Sequence, residues 1–333
     1  MNELGKSSTE SPESAQVSFV DIDEESAGQR IDNFLFRVCK GVPKSHIYRI
    51  LRSGEVRVNK GRIDATYRLV AGDRLRLPPM RVGAPASHTR ARAPAANFPI
   101  LFEDSGLLAI DKPAGVAVHG GSGVSHGVIE QLRQARPDAP FLELVHRLDR
   151  DTSGVLLLAK KRSALLSLHE QLRGSSTDKR YLACVVGDWH DARRVVKAPL
   201  YKYVDGNGER RVRVQEDGSP SHTIFRLLER FGAYSLLEAE LKTGRTHQIR
   251  VHLAHLDMPI VGDDKYGDFA VNRQLARGDA RPGIKRMFLH AARFTFAHPV
   301  SGALTVVEAP LPAECGQFLN QLKQAFSHGP TTV

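Results

Sequence analysis

Residues Phe141–Lys160 read FLELVHRLDRDTSGVLLLAK. Two largely apolar runs, Phe141–Val145 and Val155–Ala159, flank the loop His146–Gly154. Seven of that loop's nine residues are ionisable or carry a hydroxyl. Short apolar runs bounded by a Gly-containing loop predict two strands and a tight connection. A loop held between buried strands is a rigid mount for chemistry. This one carries Asp149, with Arg147 and Arg150 beside it and Asp151 two residues on. A salt-bridged surface turn would use the same residue types, so the rest of the chain must decide between the two.

Working outward, Ile100–Asp104 and Leu107–Lys112 read as strands joined by an Asp104–Gly106 turn, with Pro113 and Gly115 ending the second. The stretch GVAVHGGSGVSHG is Gly-rich. It lacks the GK[ST] ending of a nucleotide P-loop and the βα spacing of a dinucleotide site, so it reads as a loop near the site. Helices are expected at Val128–Arg136 and Ser163–Leu172. Strand character follows at Lys179–Gly187, Arg211–Val214, Thr223–Leu228 and Tyr234–Leu241. In KTGRTHQIRVHLAHLDMPIVGDDKYG, Thr246 can open a helix running to Leu256. Late strands at Phe288–Phe296 and Leu304–Glu308 and a last helix at Cys315–Phe326 complete the chain. The fold class is α+β: a large mixed, mainly antiparallel β-sheet domain with flanking helices, preceded by a smaller unit.

The chain has 333 residues, enough for two domains, and is 41% hydrophobic and 25% charged. No apolar run approaches the roughly 20 residues of a membrane span, and MNELGKSSTESPESAQ lacks a basic region followed by an apolar core, so neither membrane nor secretion is expected. Cys39, Cys184 and Cys315 stand singly, which fits a reducing cytoplasm and no cysteine-based metal site. The net charge of +10 is uneven. Residues 1–28 hold one Lys against seven acids, and residues 29–92 hold fifteen Lys/Arg against four. A basic block suggests a polyanionic partner, nucleic acid first.

Ahead of that block, residues 1–16 form a polar tail expected to be disordered, and Val17–Ile22 a short strand. Ile31, Phe34, Leu35 and Val38 recur at i, i+3, i+4, i+7, one apolar helix face. Gly41 closes that helix. Ser45 can cap a second, with Ile47, Ile50 and Leu51 inward. Val56–Ile63 reads as a hairpin with an Asn59–Gly61 turn, and Arg74–Leu77 alternates again. The pattern Arg30-Ile31-Asp32, Lys44-Ser45, then Gly54-Glu55-Val56-Arg57-Val58-Asn59 resembles an S4 (αL) RNA-binding domain, here spanning 17–77. His46 stands where many members have Arg. The resemblance implies RNA contacts from Arg30, Lys44, Ser45, Arg49, Arg52, Arg57 and Lys60. Residues 78–97, PPMRVGAPASHTRARAPAAN, read as a basic Pro/Ala linker, and 98–328 as the large domain.

Other chemistries lack their motifs. His247, His252 and His255 could place His252 and His255 on one helix face, but HExxH is missing, and no metal is expected. A hydrolase of the α/β type would need GxSxG on a strand-to-helix turn, and the one match, Gly123–Gly127, sits in the Gly-rich loop well beyond the strand that Pro113 and Gly115 end. Asp149 and Asp151 need not converge, and neighbouring arginines do not favour the protonated acid a glycosidase needs. HRLDRDTSG at 146–154 resembles the signature of the pseudouridine synthases of ribosomal large-subunit and some transfer RNAs. Leu108–Pro113 with AGVAVHGG, Lys179-Arg180-Tyr181 and Leu241–Arg250 resemble that family's other motifs, in order, and the match runs along essentially the whole chain.

That resemblance implies isomerisation of uridine in 23S rRNA of the large ribosomal subunit, by a cytoplasmic monomer with no cofactor. It makes Asp149 the catalytic carboxylate, acting either by attack on C1′ or by removing a ribose proton. It makes Arg250 the ion-pair partner, Tyr181 the face stacked on the flipped uracil, and Arg147 the filler of the gap left in the RNA. A non-catalytic RNA-binding assembly factor, or the same chemistry on other RNA targets, is the alternative.

Overall fold

The structure is a computed structural model that describes residues 17–23, 26–39, 41–79, 94–120, 126–206, 208–277 and 282–327. The expected tail 1–16, most of the linker and residues 121–125 of the Gly-rich loop lie outside these. The chain divides into two compact units, Met1–Ala91 and Arg92–Val333.

The first unit contains β1 (Ser18–Asp21), α1 (Ile31–Val38), α2 (Lys44–Arg52), β2 (Arg57–Val58), β3 (Gly61–Arg62) and β4 (Arg74–Leu77), with antiparallel sheet order β1-β4-β2-β3. Ile31, Phe34 and Leu35 of α1 pack on Ile47, Ile50 and Leu51 of α2 and on Val58 and Leu75 of the sheet. Three expectations are corrected. Val38 lies at the end of α1 and is 45% exposed rather than in the core. The residue capping α2 is Pro43, with no side-chain cap, so Ser45 is already helical. The hairpin turn is Asn59-Lys60, both left-handed (φ 50° and 68°), and Gly61 already belongs to β3. Asn59 tolerates that conformation and ties the turn to β4. Its amide donates to Asp73 at 2.8 Å and its carbonyl accepts from the Arg74 N–H at 2.9 Å.

The second unit contains β5 (Ile100–Glu103), β6 (Leu107–Lys112), α3 (Val128–Ala135), β7 (Glu143–Leu144), β8 (Ser153–Ala159), α4 (Arg162–Arg173), β9 (Asp178–Val186) and β10 (Arg193–Val196). There follow β11 (Leu200–Val204), β12 (Arg210–Val214), β13 (Thr223–Arg230), β14 (Tyr234–Leu241), α5 (Gln248–His255), α6 (Phe269–Ala276), β15 (Leu289–Ala297), β16 (Leu304–Glu308) and α7 (Ala313–Ser327). The main sheet runs β10-β13-β14-β9-β15-β8-β6-β5, with β16 also on β15 and β7 on β8. β11 and β12 form a separate hairpin. Every pairing is antiparallel except β15 with β8. Among the described residues no helix is long and apolar enough to cross a membrane.

β8 is buried along its whole length. Leu156 and Leu158 face one core with Leu108 and Ile110, while Leu157 and Ala159 face another with Leu107 and Phe294. Alternating side chains therefore bury both faces of this strand. The expected strand Phe141–Val145 shrinks to Glu143–Leu144, because the Leu142 carbonyl accepts from Arg133 (3.0 and 2.7 Å) instead of from a strand. β8 begins earlier than Val155, because Ser153 and Gly154 pair with His290 and Ala291 of β15. The helix after Thr246 is also corrected: it starts at Gln248, capped by His247 with φ 54°. The Gln248 side-chain oxygen collects the Thr243 hydroxyl (2.8 Å) and the Arg245 N–H (3.0 Å), which folds the preceding loop around it.

Candidate active site

The loop 146–152 leads directly into β8, and five side chains fasten its base. The Ser153 hydroxyl lies 2.9 Å from His290 Nδ1 and accepts from Arg286 at 2.7 Å. His290 Nε2 lies 3.2 Å from the Ala309 carbonyl, which can only accept, so Nδ1 is left to accept from Ser153. Burial lowers the His290 pKa to about 4 and keeps the ring neutral. Lys112 is fully buried, and its ammonium donates to the carbonyls of Pro113 (2.8 Å), Val116 (2.8 Å) and Arg150 (3.0 Å). Burial brings its pKa down to about 7. His146 accepts the Leu157 N–H at 3.1 Å, its ring edge against Phe294, and burial drops its pKa to about 3. At Gly154, φ is +107° and a Cβ would stand 2.2 Å from the Ala291 oxygen, so only glycine lets β8 approach β15 here.

This anchoring presents Asp149 to α5. Its carboxylate lies 3.3 Å from Arg250 Nη1, a residue 101 positions away, and 4.0 Å from His247 Nε2. Arg250 is only 4% exposed. Its orientation is set by Asp263, which takes two 2.7 Å bonds from Nε and Nη2, and its guanidinium lies 5.2 Å from the Tyr266 ring centre. Burial would raise the Asp263 pKa and lower that of Arg250, but their mutual hydrogen bonds and charges reverse both shifts. Backbone N–H groups of Lys265 and Tyr266 also donate to Asp263, at 2.8 and 3.0 Å. The Tyr266 hydroxyl accepts from the Val212 N–H at 3.0 Å, which leaves its proton for His247 Nδ1 at 2.8 Å. The imidazole N–H is then on Nε2, facing Asp149. Burial lowers the His247 pKa.

Asp149, Arg147, Tyr181 and Arg250, all singled out from the sequence, line one cavity of about 1040 Å³. Tyr181 on β9 is 8% exposed, and burial, then the Asp149 charge, pushes its phenol pKa up. Arg147 is exposed and makes no hydrogen bond or ion pair with the described residues. Asp151 is occupied by Arg150 at 3.1 Å. The histidines of α5 do not share a face: His252 is buried against Ser221 and Thr223 (2.8 and 2.9 Å), while His255 is exposed.

In the first unit Lys44, Ser45, Arg49 and Arg52 lie on the exposed side of α2, opposite Ile47, Ile50 and Leu51. Arg57 and Lys60 are exposed on the hairpin. Arg30 differs, since its guanidinium is bonded to the buried Asp32 at 2.6 and 3.2 Å. Sequence reasoning missed Asp263, Tyr266, His290 and Arg286. It considered His247 only as a metal ligand. The signal available was the doubled acid and aromatic of Gly262-Asp263-Asp264-Lys265-Tyr266, a polar run between apolar segments.

The larger unit holds an anchored carboxylate, an arginine locked against it and a buried tyrosine in one cavity, and the chain also carries a separate basic α/β unit, a combination that fits an RNA-modifying enzyme. The chain belongs to the RNA pseudouridylate synthase family, whose model matches residues 106–255, and it carries an S4 domain matched at 29–75. It is therefore an isomerase. It is 54% identical over 315 residues to ribosomal large subunit pseudouridine synthase C of Pasteurella multocida, covering 93% of this chain and 95% of that protein. With the protein of the same name from Escherichia coli (strain K12) the identity is 53% over 318 residues, covering 94% and 99%. Among solved structures it is similar to human RNA pseudouridylate synthase domain containing 4, with TM-score 0.56, 26% identity and coverage of 68% and 93%.

Proposed function

We propose that this chain isomerises uridine to pseudouridine in 23S rRNA of the large ribosomal subunit, with Asp149 as the catalytic carboxylate. The observation that carries the assignment is Asp149 at 3.3 Å from an Arg250 already clamped by Asp263. The relatives named for the large subunit, identical at more than half of positions over more than nine-tenths of this chain, support the choice of RNA.

The reaction breaks N1–C1′, turns the uracil and joins C5 to C1′. The C5 proton leaves and N1 gains one. The sum is redox-neutral and transfers nothing to another molecule, so it calls for no cofactor. The target base must leave its stack, at a cost of a few kcal/mol, and the cavity has room for a nucleotide and its flanking groups. Arg250, fixed before substrate arrives, orients Asp149 either to attack C1′ or to take a ribose proton. Tyr181 supplies a flat face beside Asp149 for the uracil. Arg147, exposed and uncommitted, fills the vacated stack. Residues 17–77 dock the RNA through the exposed face of α2 and the hairpin, and 98–328 carry the chemistry. The chain is expected to act as a monomer, and an rRNA substrate fits a cytoplasmic location.

The test is tritium release from large-subunit rRNA transcripts labelled at uridine C5, followed by mapping of the product. Tritium release with pseudouridine at discrete positions is expected. Transcripts that are bound but release none would overturn the reading, and free uracil would indicate hydrolysis instead.

A further inference from the structure

A buried ammonium lines the cavity, and it is provided for quite differently from that of Lys112, which is not among the lining residues. Lys179 lies two residues before Tyr181 on β9, on the same face of the strand, and is 8% exposed. It lines the Asp149 cavity. Lys112 gives its three protons to three carbonyls, whereas the Lys179 ammonium has no hydrogen bond or ion pair with any described residue. A Cβ added at Gly244 would stand 3.8 Å from Nζ, and the Lys179 charge also reaches the neutral ring of His146. Burial alone lowers its pKa, with no carboxylate offsetting it. Asp149 is committed to Arg250, and the neighbouring Asp178 to Arg180 at 2.7 Å. A buried, unpaired ammonium is costly, and a fold keeps one where a ligand completes the pairing. Arg173, Lys242 and Arg245 line the same cavity, so the missing partner is an anion from a polyanionic strand.

We propose that the Lys179 ammonium seats a backbone phosphate of the RNA next to the target uridine, completing its pairing only when the nucleotide is in the cavity. This rests on the reading of the chain as a synthase acting on a flipped uridine. Two strand positions separate Lys179 from Tyr181 by about 6.5–7 Å, a span comparable to the reach from a base to its own phosphate. The charge-assisted bonds formed there hold the sugar still while the glycosidic bond is exchanged.

The test uses the full chain and a synthetic RNA hairpin spanning one mapped target uridine, with the phosphates 5′ and 3′ to it replaced singly by methylphosphonate. Lys179→Met should fold with a melting temperature equal to or above wild type, since it removes an unpaired charge. Its kcat/KM on the unmodified hairpin should fall about 10–100-fold. Wild type should fall by a similar factor on one of the two methylphosphonates, and Lys179→Met should lose nothing further on that RNA. The proposal is overturned if Lys179→Met turns over like wild type, if it melts several degrees lower, or if both proteins lose equally on every methylphosphonate. A defect confined to kcat and indifferent to both replacements also overturns it, assigning the ammonium to the base. Wild-type protein that releases no tritium from any RNA would instead remove the parent reading. Activity in wild type with any of the contrary results removes this inference alone.

Discussion

The cations of α2 and those of the Asp149 cavity are the same residue types put to opposite uses. Lys44, Arg49 and Arg52 stand in solvent, and the ion pair of Arg49 with Glu55 leaves both side chains about half exposed. Arg250 is nearly sealed and held by two bonds to a carboxylate that is itself fully buried. An exposed cation attracts a polyanion over a distance set by salt and fixes little. A buried, paired one contributes geometry, because moving it would strand a charge in low dielectric. On the proposed function, affinity and chemistry are thereby separated within one chain, and each should be open to disturbance without the other.

The largest effect should come from Asp263→Ala. It leaves Arg250 buried with only Asp149 and the exposed Asp264 near it, so we expect about 3–5 kcal/mol lost from stability and about 100-fold from kcat. Urea unfolding and tritium release check the two. Next is Gly154→Ala, whose methyl would meet the Ala291 oxygen at 2.2 Å in a backbone conformation that favours glycine. About 2–3 kcal/mol of destabilisation is expected, seen as a lower urea midpoint at unchanged slope. On the other side of the comparison, Arg49→Ala with Arg52→Ala should raise KM several-fold and leave kcat and the melting temperature unchanged. The slope of log KM against log salt should shrink by about 1.4, or about 0.7 per lost phosphate contact.

The smallest effect concerns acid. Glu103, bonded to Arg136 and Lys160, and Glu240, where Lys242, Arg226 and Arg180 outweigh the effect of burial, both have pKa values lowered to about 2. The unfolded chain binds those protons more readily, so the stability these pairs contribute is complete above the ordinary glutamate range and lost as pH falls from about 4.5 to about 2. Arg136→Met should flatten the Glu103 share of that decline in acid-unfolding curves.

What could be read from the sequence was local. The loop 146–154, the strands with period-two burial and the helices with 3.6-residue periodicity all announce themselves within a window of a dozen residues. The pairing of β8 with β15 does not, because Ser153 and His290 lie 137 positions apart. Gly154 looked like a turn glycine and proves to be a contact glycine. Thr246 was a plausible cap, but Gln248 captures the loop from inside the helix, a contact that cap preferences do not encode. Asp149, Tyr181 and Arg250 were found through motif resemblance. Asp263 and Tyr266 were passed over because their roles arise only when two distant loops meet Arg250. Arg30 was grouped with the RNA-contacting cations, though Asp32, two residues on, already holds it.

The proposed chemistry rests on the carboxylate at position 149. Asp149→Asn keeps the shape and the RNA surface while removing the charge. Pseudouridine mapping on large-subunit rRNA lacking the modification, incubated with this variant, should show none at the sites wild type converts, at unchanged rRNA affinity and with the fold intact. Measurable pseudouridine at those sites from the purified variant would rule out Asp149 as the catalytic group.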